Sequence, residues 1–408
     1  MKIKTAYSSL ALACVTALGL SIASPVLAAD GVIIGSVKDA AKARSYNGAK
    51  IKLIELGLVT EAGRDGTFRF PSIPKGTYTL EISYLGEDTV TQTIKVEDND
   101  IARASVEFGS GETIDEILVR GQRSGQASAI NQQRVSDRIS SIVSADAIGQ
   151  FPDQNAAESL QRLPGLSIER DQGEGRFVGI RGIDPNLNNV TINGLNIPSP
   201  ESGVRSVALD VIPSELIQTL EVSKSVTPDM DGDAIGGSVA VKSVSAFDKD
   251  RDTASVTVQA SQNDLRDETS PKVSGTFTKK LSSKWGVAGA VSYFDRDFGS
   301  DNVESNGDDE LEQRHYAITR ERLGSALNID FRPDFNNQYF LRTLYSEFSD
   351  DEYRQGNIFT FDGEDSEIER ESKDRFESQS IFTVALGGEH QLDTWEANWQ
   401  LGYAKSDE

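Results

Sequence analysis

The stretch ESLQRLPGLSIERDQGEGRFVGIRGIDPNLNNVTINGL, from Glu158 to Leu195, decides the fold of the middle of the chain. Apolar residues recur at helical spacing around its start until Pro164-Gly165 ends the pattern, which predicts a short helix. Short apolar runs follow at 166–168, 177–180 and 190–192, cut by glycines and by Asp184-Pro185-Asn186. These runs predict strands joined by tight turns. The stretch therefore predicts a compact α/β module.

Length and charge limit the class of protein. At 408 residues the chain is long enough for about two to four domains. Its formal net charge of -23 at pH 7 excludes nucleic acid as a partner, because a polyanion would be repelled. No run approaches the roughly 20 apolar residues that a membrane helix needs. Strands of a membrane β-barrel escape this test, since only alternate residues face lipid.

Residues 1–28 have the pattern of a secretory signal peptide. Lys2 and Lys4 precede an apolar segment at 10–22, and Val26-Leu27-Ala28 ends it with a small-residue cleavage site. The chain's one cysteine, Cys14, lies inside this segment. We therefore expect an exported protein whose processed form carries no disulfide and no thiol site.

Residues 30–109 contain six short, mostly alternating apolar runs, at 32–34, 51–56, 68–70, 78–82, 90–96 and 104–108. Runs of this length between Gly, Asn and Asp turns predict a small β-sandwich. The motif Asp65-Gly66-Thr67-Phe68-Arg69-Phe70, followed by Ile73, Gly76, Tyr78 and Leu80, resembles carboxypeptidase-regulatory-like domains with a transthyretin-like fold. The resemblance implies a non-catalytic accessory module.

Several ordered motifs across residues 144–243 resemble the plug domain of TonB-dependent outer-membrane receptors. They are Leu163-Pro164-Gly165-Leu166, Ile180-Arg181-Gly182, Ile192-Asn193-Gly194, Asp210-Val211-Ile212-Pro213, residues 217–222 and Ala234-Ile235-Gly236-Gly237-Ser238. A plug, assigned to residues 126–247, implies energy-coupled import across the outer membrane of a Gram-negative cell, with the sandwich on the periplasmic side. The implied partners are TonB with its inner-membrane energising complex, a small nutrient ligand and outer-membrane lipid.

Residues 110–125 form a linker in which glycine and serine flank a segment with high β-propensity. The residues alone fit a linker with an incidental edge strand as well as a functional motif. The position just before the plug makes the segment similar to a TonB box, which such receptors offer to TonB. The implied TonB-binding residues are Ile114, Asp115, Glu116, Ile117, Leu118, Val119, Arg120 and Gly121.

The resemblance also implies a latch between plug and barrel. In the receptor family, the arginine of the Ile-Arg-Gly motif is buried and pairs with carboxylates on the inner wall of the barrel. Only a planar guanidinium satisfies two carboxylates at once, so the latch is assigned to Arg181 and Gly182. The family often has a second arginine after its Glu-Val pair; this chain has Lys224 there, and we assign it to the same latch.

From residue 250 to 408, seven segments alternate between apolar and polar residues: 254–260, 273–281, 285–293, 323–331, 339–345, 382–392 and 395–403. This pattern predicts strands of a transmembrane antiparallel β-barrel. Trp285 and Trp395 each follow a short turn, and Tyr293 and Tyr403 lie where the opposite aromatic girdle is expected. Long acidic connections at 297–320 and 350–377 are predicted to be external loops.

Seven strands cannot enclose a plug of this size, since plugged transporters use about 22 strands. An open sheet would also expose two edges to lipid, where unpaired backbone groups are costly. We therefore expect an amino-terminal fragment of a larger receptor, with most of the barrel beyond Glu408. The predicted fold class is mainly β: a transthyretin-like β-sandwich, an α/β plug and the first strands of a truncated barrel.

Other functions explain the sequence less well. A passive porin needs neither a plug nor a TonB box, and a secreted adhesive protein built from β-sandwiches does not explain the aromatic spacing. An enzyme is not expected, because His315 and His390 are the only histidines and no nucleophile-base set appears. Iron chelates, cobalamin and oligosaccharides all remain possible nutrients.

Two polar turns in the plug are not expected to bind ligands, and neither a metal site nor a cofactor is predicted. Asp229-Met230-Asp231-Gly232-Asp233 resembles a calcium loop, but Ala234 and Ala240 replace the glycine and glutamate that such a loop requires. Gly173-Glu174-Gly175-Arg176 is not followed by a lysine-bearing helix, as a phosphate loop would be. Both segments are interpreted as turns.

Overall fold

The computed structural model describes residues 31–408 except 40–44, 64, 98–99, 109–119, 137, 145–147, 149–152, 229, 249–250, 308, 335, 363–364 and 392–394. The predicted signal peptide, residues 1–28, lies outside the described residues. The described part of the chain is mainly β, as predicted. Strands and helices are labelled below in chain order.

The first domain is a sandwich of two sheets, which confirms the fold predicted for it. Its strands are β1 Gly31–Asp39, β2 Lys50–Leu53, β3 Leu58–Glu61, β4 Thr67–Ile73, β5 Gly76–Ser83, β6 Val90–Val96 and β7 Ile101–Phe108. One sheet has the order β4-β1-β7 and the other β3-β2-β5-β6. Alternate residues of these strands, such as Ile33 and Leu80, are buried between the sheets and form one apolar core.

A helix, α1 Arg120–Val135, connects the sandwich to the plug. The plug contains α2 Ala156–Leu160 and the strands β8 Ser140–Ser144, β9 Leu166–Asp171, β10 Glu174–Ile180, β11 Asn188–Ile192, β12 Leu195–Asn196, β13 Thr219–Ser223 and β14 Gly237–Lys242. Five of these strands form a sheet in the order β12-β11-β14-β13-β8, and β9 and β10 form a separate hairpin. The predicted α/β plug is therefore confirmed.

Helices of the described residues are short, and none of them is both long and apolar enough to cross a membrane.

The last domain is an antiparallel sheet of seven strands in chain order, which matches the seven predicted segments. The strands are β15 Thr253–Asn263, β16 Arg266–Lys280, β17 Trp285–Asn306, β18 Glu310–Phe331, β19 Asn337–Asp362, β20 Asp365–Gln391 and β21 Glu396–Asp407. One face packs on the plug, where Ala326, Leu344 and Phe348 join the plug's apolar core. The other face exposes apolar and aromatic side chains, among them Val291, Leu401 and Tyr403.

The long loops predicted at 297–320 and 350–377 are wrong. Strands β17 and β18 remain paired as far as Asn306 and Glu310, and β19 and β20 remain paired as far as Asp362 and Asp365. Cross-strand ion pairs occupy these extensions, for example Arg354 with Glu371. Polar side chains on both faces remove the hydrophobic alternation, while the backbone ladder continues.

Candidate functional site: a buried charge network between plug and sheet

The β9–β10 hairpin of the plug carries two buried charged residues, Glu174 and Arg176. Its turn is formed by Gln172 and Gly173, which have φ values of 42° and 86°. The turn predicted at 173–176 is therefore only partly right, because residues 174–176 belong to strand β10. Pairing with β9 shifts register between Gly175 and Phe177, which leaves Arg176 as a bulge. Bulges redirect side chains, and both Glu174 and Arg176 are buried.

Helix α2 fixes the start of β10. Asn155 caps this helix by accepting a hydrogen bond from the backbone N–H of Glu158 at 2.9 Å, and its side-chain amide donates to the Gly175 carbonyl at 3.2 Å. The Glu158 carboxylate in turn accepts from the backbone N–H of Gly175 at 2.7 Å. These contacts hold the backbone that presents Glu174 to the sheet.

The carboxylate of Glu174 lies among three guanidinium groups of the sheet. Arg320 Nη1 donates to Glu174 Oε2 at 3.0 Å, and Arg296 and Arg322 also pair with the carboxylate. Arg320 and Arg322 lie two residues apart in β18 and so share one face, while Arg296 lies directly opposite Arg320 in β17. Three adjacent cations on one face repel one another unless an anion lies between them.

Burial of the Glu174 site is nearly complete: the exposed fraction is 4% for Glu174, 0% for Arg320 and 1% for Arg322. Burial alone would raise the pKa of Glu174, but the positive charges of Arg322, Arg320 and Arg296 outweigh it. The pKa of Glu174 is therefore held well below its ordinary value. This carboxylate is ionised at neutral pH and compensates the cations around it.

Further ion pairs extend the network along the sheet. Arg320 Nε donates to Asp350 Oδ1 at 2.6 Å, and Arg375 Nη2 donates to Asp350 Oδ2 at 3.0 Å. From the hairpin turn, Gln172 Nε2 donates to Glu352 Oε2 at 2.9 Å. The hairpin is thereby joined to three neighbouring strands, β18, β19 and β20.

Arg176 forms the second part of the network. Its guanidinium donates to Asp171 Oδ2 at 3.0 Å and to Glu377 Oε1 at 3.3 Å, and it also pairs with Glu201. Burial would lower the pKa of Arg176, but the nearby carboxylates, Asp210 first, raise it above its ordinary value. An open polar cavity of about 530 Å³ adjoins this arginine and is lined by Phe177, Glu201 and Glu377 among others.

Asp210 is the least satisfied acid of the plug. It is 1% exposed, and its Oδ1 atom has no hydrogen-bond partner among the described residues. Burial raises the pKa of Asp210 to about 6, although the charges of Arg176 and Arg322 partly oppose this. The Asp210 backbone carbonyl accepts from Arg322 Nε at 3.0 Å, so the residue lies directly against the network.

The predicted latch residues lie elsewhere. Arg181 is exposed rather than buried, and its Nη2 atom donates to the Gly236 carbonyl at 3.1 Å. Gly182 follows it with a φ of 75°. Lys224 donates to Ser141 Oγ at 2.8 Å and to the Pro164 carbonyl. The pairing of these residues with barrel carboxylates stays a prediction.

Most of the predicted TonB-binding segment lies outside the part of the chain that the structure describes. Ile114, Asp115, Glu116, Ile117, Leu118 and Val119 lie outside the described residues, while Arg120 and Gly121 open helix α1. In the acidic segment at 229–233, which was interpreted as a turn, Asp231 accepts a hydrogen bond from Asn196 and Asp233 pairs with Arg205.

Sequence reasoning missed Glu174 and Arg176, which were interpreted only as parts of a turn. A signal for them exists, because both precede the apolar Val178 and Ile180 in a single strand. Charged residues at alternate positions of an otherwise buried strand require partners. Sequence does not show that those partners lie on β17, β18 and β20.

Comparison with known families agrees with this architecture. Residues 131–238 match the TonB-dependent receptor plug domain, and residues 32–108 match the carboxypeptidase regulatory-like domain. The chain therefore contains a TonB-dependent receptor plug domain, packed against one face of an antiparallel sheet, with a carboxypeptidase regulatory-like domain ahead of it. No curated protein matches the chain.

Solved structures with a similar chain include three receptors. A mutant of the ferric enterobactin receptor PfeA from Pseudomonas aeruginosa shows 14% identity and a TM-score of 0.37, over 68% of this chain and 50% of that one. The unliganded ferric citrate transporter FecA shows 11% identity and a TM-score of 0.35, over 68% of this chain and 60% of that one. The siderophore receptor PirA from Acinetobacter baumannii shows 12% identity and a TM-score of 0.32, over 68% of this chain and 58% of that one. The chain thus spans about half to three fifths of their lengths.

Proposed function

We propose that the chain forms part of an outer-membrane importer in which TonB displaces the plug to admit a nutrient. The observation that carries the proposal is the Glu174 network, which joins a plug hairpin to the sheet through buried charges. A purely apolar contact would be costly to open in water. Charged groups regain hydration when they separate, which offsets part of the lost Coulomb attraction.

The arrangement along the sheet supports a direction of transport. The sandwich contacts the short turn between β18 and β19, where Asp65 pairs with Arg332. The Glu174 network lies away from this turn on β18, toward the end where β17–β18 and β19–β20 form long hairpins. We assign the sandwich and the segment 114–121 to the periplasmic side and the polar cavity beside Arg176 to the external side.

The cavity favours a neutral, hydroxyl-rich ligand over an anionic chelate. Carboxylates outnumber guanidiniums among its lining residues, which include Glu169, Asp171, Glu201 and Glu377. The whole chain carries a net charge of -23, so an anionic iron complex would be repelled on approach. Alternating acceptors and donors, with Phe177 beside them, suit an oligosaccharide. Iron chelates and cobalamin are the competing ligands.

The two rival functions explain less of the structure. A passive porin would leave the plug domain at 131–238 without a role. A secreted adhesive protein would have no reason to expose Val291, Leu401 and Tyr403 on one face of a seven-stranded sheet.

Uptake measurements test the proposal. Cells expressing the receptor, with TonB present or deleted, are offered a labelled neutral oligosaccharide, a ferric siderophore or cobalamin. We expect saturable uptake of the oligosaccharide only when TonB is present. Uptake at the same rate without TonB would contradict energy coupling, and TonB-dependent uptake of the siderophore alone would contradict the ligand class.

A further inference from the structure

The sandwich is attached to the sheet at one of the short turns. Asp65 pairs with Arg332, and Arg69 donates a hydrogen bond to the side chain of Asn336. Burial would raise the pKa of Asp65, but the charge of Arg332 and hydrogen bonds from Thr67 outweigh it, so this pKa lies below its ordinary value. The carboxylate is ionised at neutral pH, and the contact is an ion pair.

Helix α1 packs on the same sandwich. Asn131 is 4% exposed; its Oδ1 accepts from the backbone N–H of Leu85 at 3.2 Å, and its Nδ2 donates to the Ala127 carbonyl at 2.7 Å. Ala127 packs against the sandwich core. At Gly48, where φ is 75°, a Cβ atom would lie 3.0 Å from the backbone nitrogen of Gln132. The helix therefore fits closely against the sandwich.

Helix α1 also contacts the plug. Gln133 Nε2 donates to the Ile142 carbonyl of β8 at 3.3 Å, and β8 is the edge strand of the plug sheet. Helix α1, which begins at Arg120, thus follows residues 114–119 in the chain and precedes β8 of the plug. A force applied to that segment reaches α1 before it reaches β8.

We propose that the sandwich and helix α1 form a clamp that must open before TonB can act on the plug. The inference rests on the proposed function. In the closed clamp, Asn131 ties α1 to the sandwich, and Asp65 ties the sandwich to the sheet. A force that pulls on α1 acts on these contacts first, so the force is transmitted to the sheet rather than to the plug. Once α1 separates from the sandwich, the force is transmitted to β8 of the plug.

The clamp predicts that a covalent bond between α1 and the sandwich blocks transport. Leu85→Cys and Asn131→Cys are combined and joined in intact cells by a short bis-methanethiosulfonate, which forms a reducible disulfide with each thiol and releases methanesulfinate. The chain's only other cysteine is Cys14, in the predicted signal peptide. The matched control joins Glu55→Cys to Thr79→Cys inside the sandwich, where the native side chain and backbone lie 2.9 Å apart.

We expect cross-linking of the 85–131 pair to reduce uptake at least tenfold while ligand binding to cells is unchanged. Reduction should restore the uptake rate, and the 55–79 control should transport normally throughout. The inference is overturned if the fully cross-linked 85–131 receptor transports as fast as the same receptor does after the cross-link is cleaved by reduction. The proposed function has a separate test, because its failure would appear as TonB-independent uptake by the receptor without any cross-link.

Discussion

Glu174 of the plug accepts a hydrogen bond from Arg322 of the sheet, although 148 residues separate them in the chain. In this pair the carboxylate lies on the plug and the guanidiniums lie on the sheet. The predicted latch at the Ile-Arg-Gly motif has the reverse arrangement, with the arginine on the plug. One carboxylate serves Arg296, Arg320 and Arg322 together. A single plug side chain therefore compensates three cations of the sheet.

Replacement of Glu174 should loosen the plug. Glu174→Ala leaves three buried guanidiniums without their anion, and we expect a loss of about 3–5 kcal/mol in plug docking. Protease access to residues 144–243 should begin at a lower denaturant concentration than in the wild type. Glu169→Ala, on the exposed face of the same hairpin, is the control and should not shift the onset. Equal resistance in both variants would show that the network does not seat the plug.

Close approach of the plug to β18 requires Gly324. A Cβ atom there would lie 2.8 Å from both Leu216 Cδ1 and Pro213 Cγ. Gly324→Val should overpack this contact and cost about 1–3 kcal/mol of docking, measured by the same protease assay. At Gly275 a Cβ atom would meet its nearest neighbours at 3.8 Å, so Gly275→Ala should have little effect. Equal effects of the two changes would contradict the close contact.

Asp210 should make docking stability depend on pH. Its pKa is raised from the ordinary 3.8 to about 6, so the docked state binds more protons than the undocked state between these values. Stability should therefore fall as pH rises from 4 to 6, by about 2 kcal/mol. Asp210→Asn should remove this fall and dock more firmly at pH 7. A wild-type profile without any fall in that range would contradict the assignment.

Glu174 should make docking stability depend on pH in the opposite direction. Its depressed pKa contributes stability above the ordinary value of 4.5, which is lost as pH falls below it. Measurements between pH 5 and 6 therefore separate the effect of Asp210 from that of Glu174.

Arg181 tests the predicted latch. The observed side chain is exposed and donates one hydrogen bond to Gly236, so Arg181→Ala should cost about 0.5–1.5 kcal/mol. A latch with buried carboxylates would instead cost about 3–5 kcal/mol. Denaturant-dependent protease access decides between them, and a loss in the larger range would contradict the contact described here.

The sequence predicted the strands best where one face is apolar. Alternation at 285–293 and 395–403 predicted β17 and β21, because the residues on the exposed apolar face differ in polarity from those that face the plug. It failed at 297–320, where ion pairs such as Arg314 with Glu304 make both faces polar. Backbone pairing continues there without any hydrophobic pattern to indicate it.

The candidate site was harder to predict than the fold. The motif containing Arg181 was recognised because its residues are contiguous, whereas the Glu174 network joins plug and sheet residues that lie 122 to 201 positions apart in the chain. Single-sequence reasoning finds a charged residue in an apolar strand, but it does not identify a distant partner. The glycines beside Glu174 further disguised a strand start as part of a turn.

The central claim, that TonB moves this plug, is tested most directly at Leu118. Pairing of an extended segment with a strand of TonB depends on backbone hydrogen bonds, and proline removes a donor and fixes the backbone. We predict that Leu118→Pro abolishes nutrient uptake while outer-membrane level and ligand affinity stay nearly normal, and that Leu118→Ala is much milder. Uptake at the wild-type rate by Leu118→Pro cells would contradict energy coupling through residues 114–121.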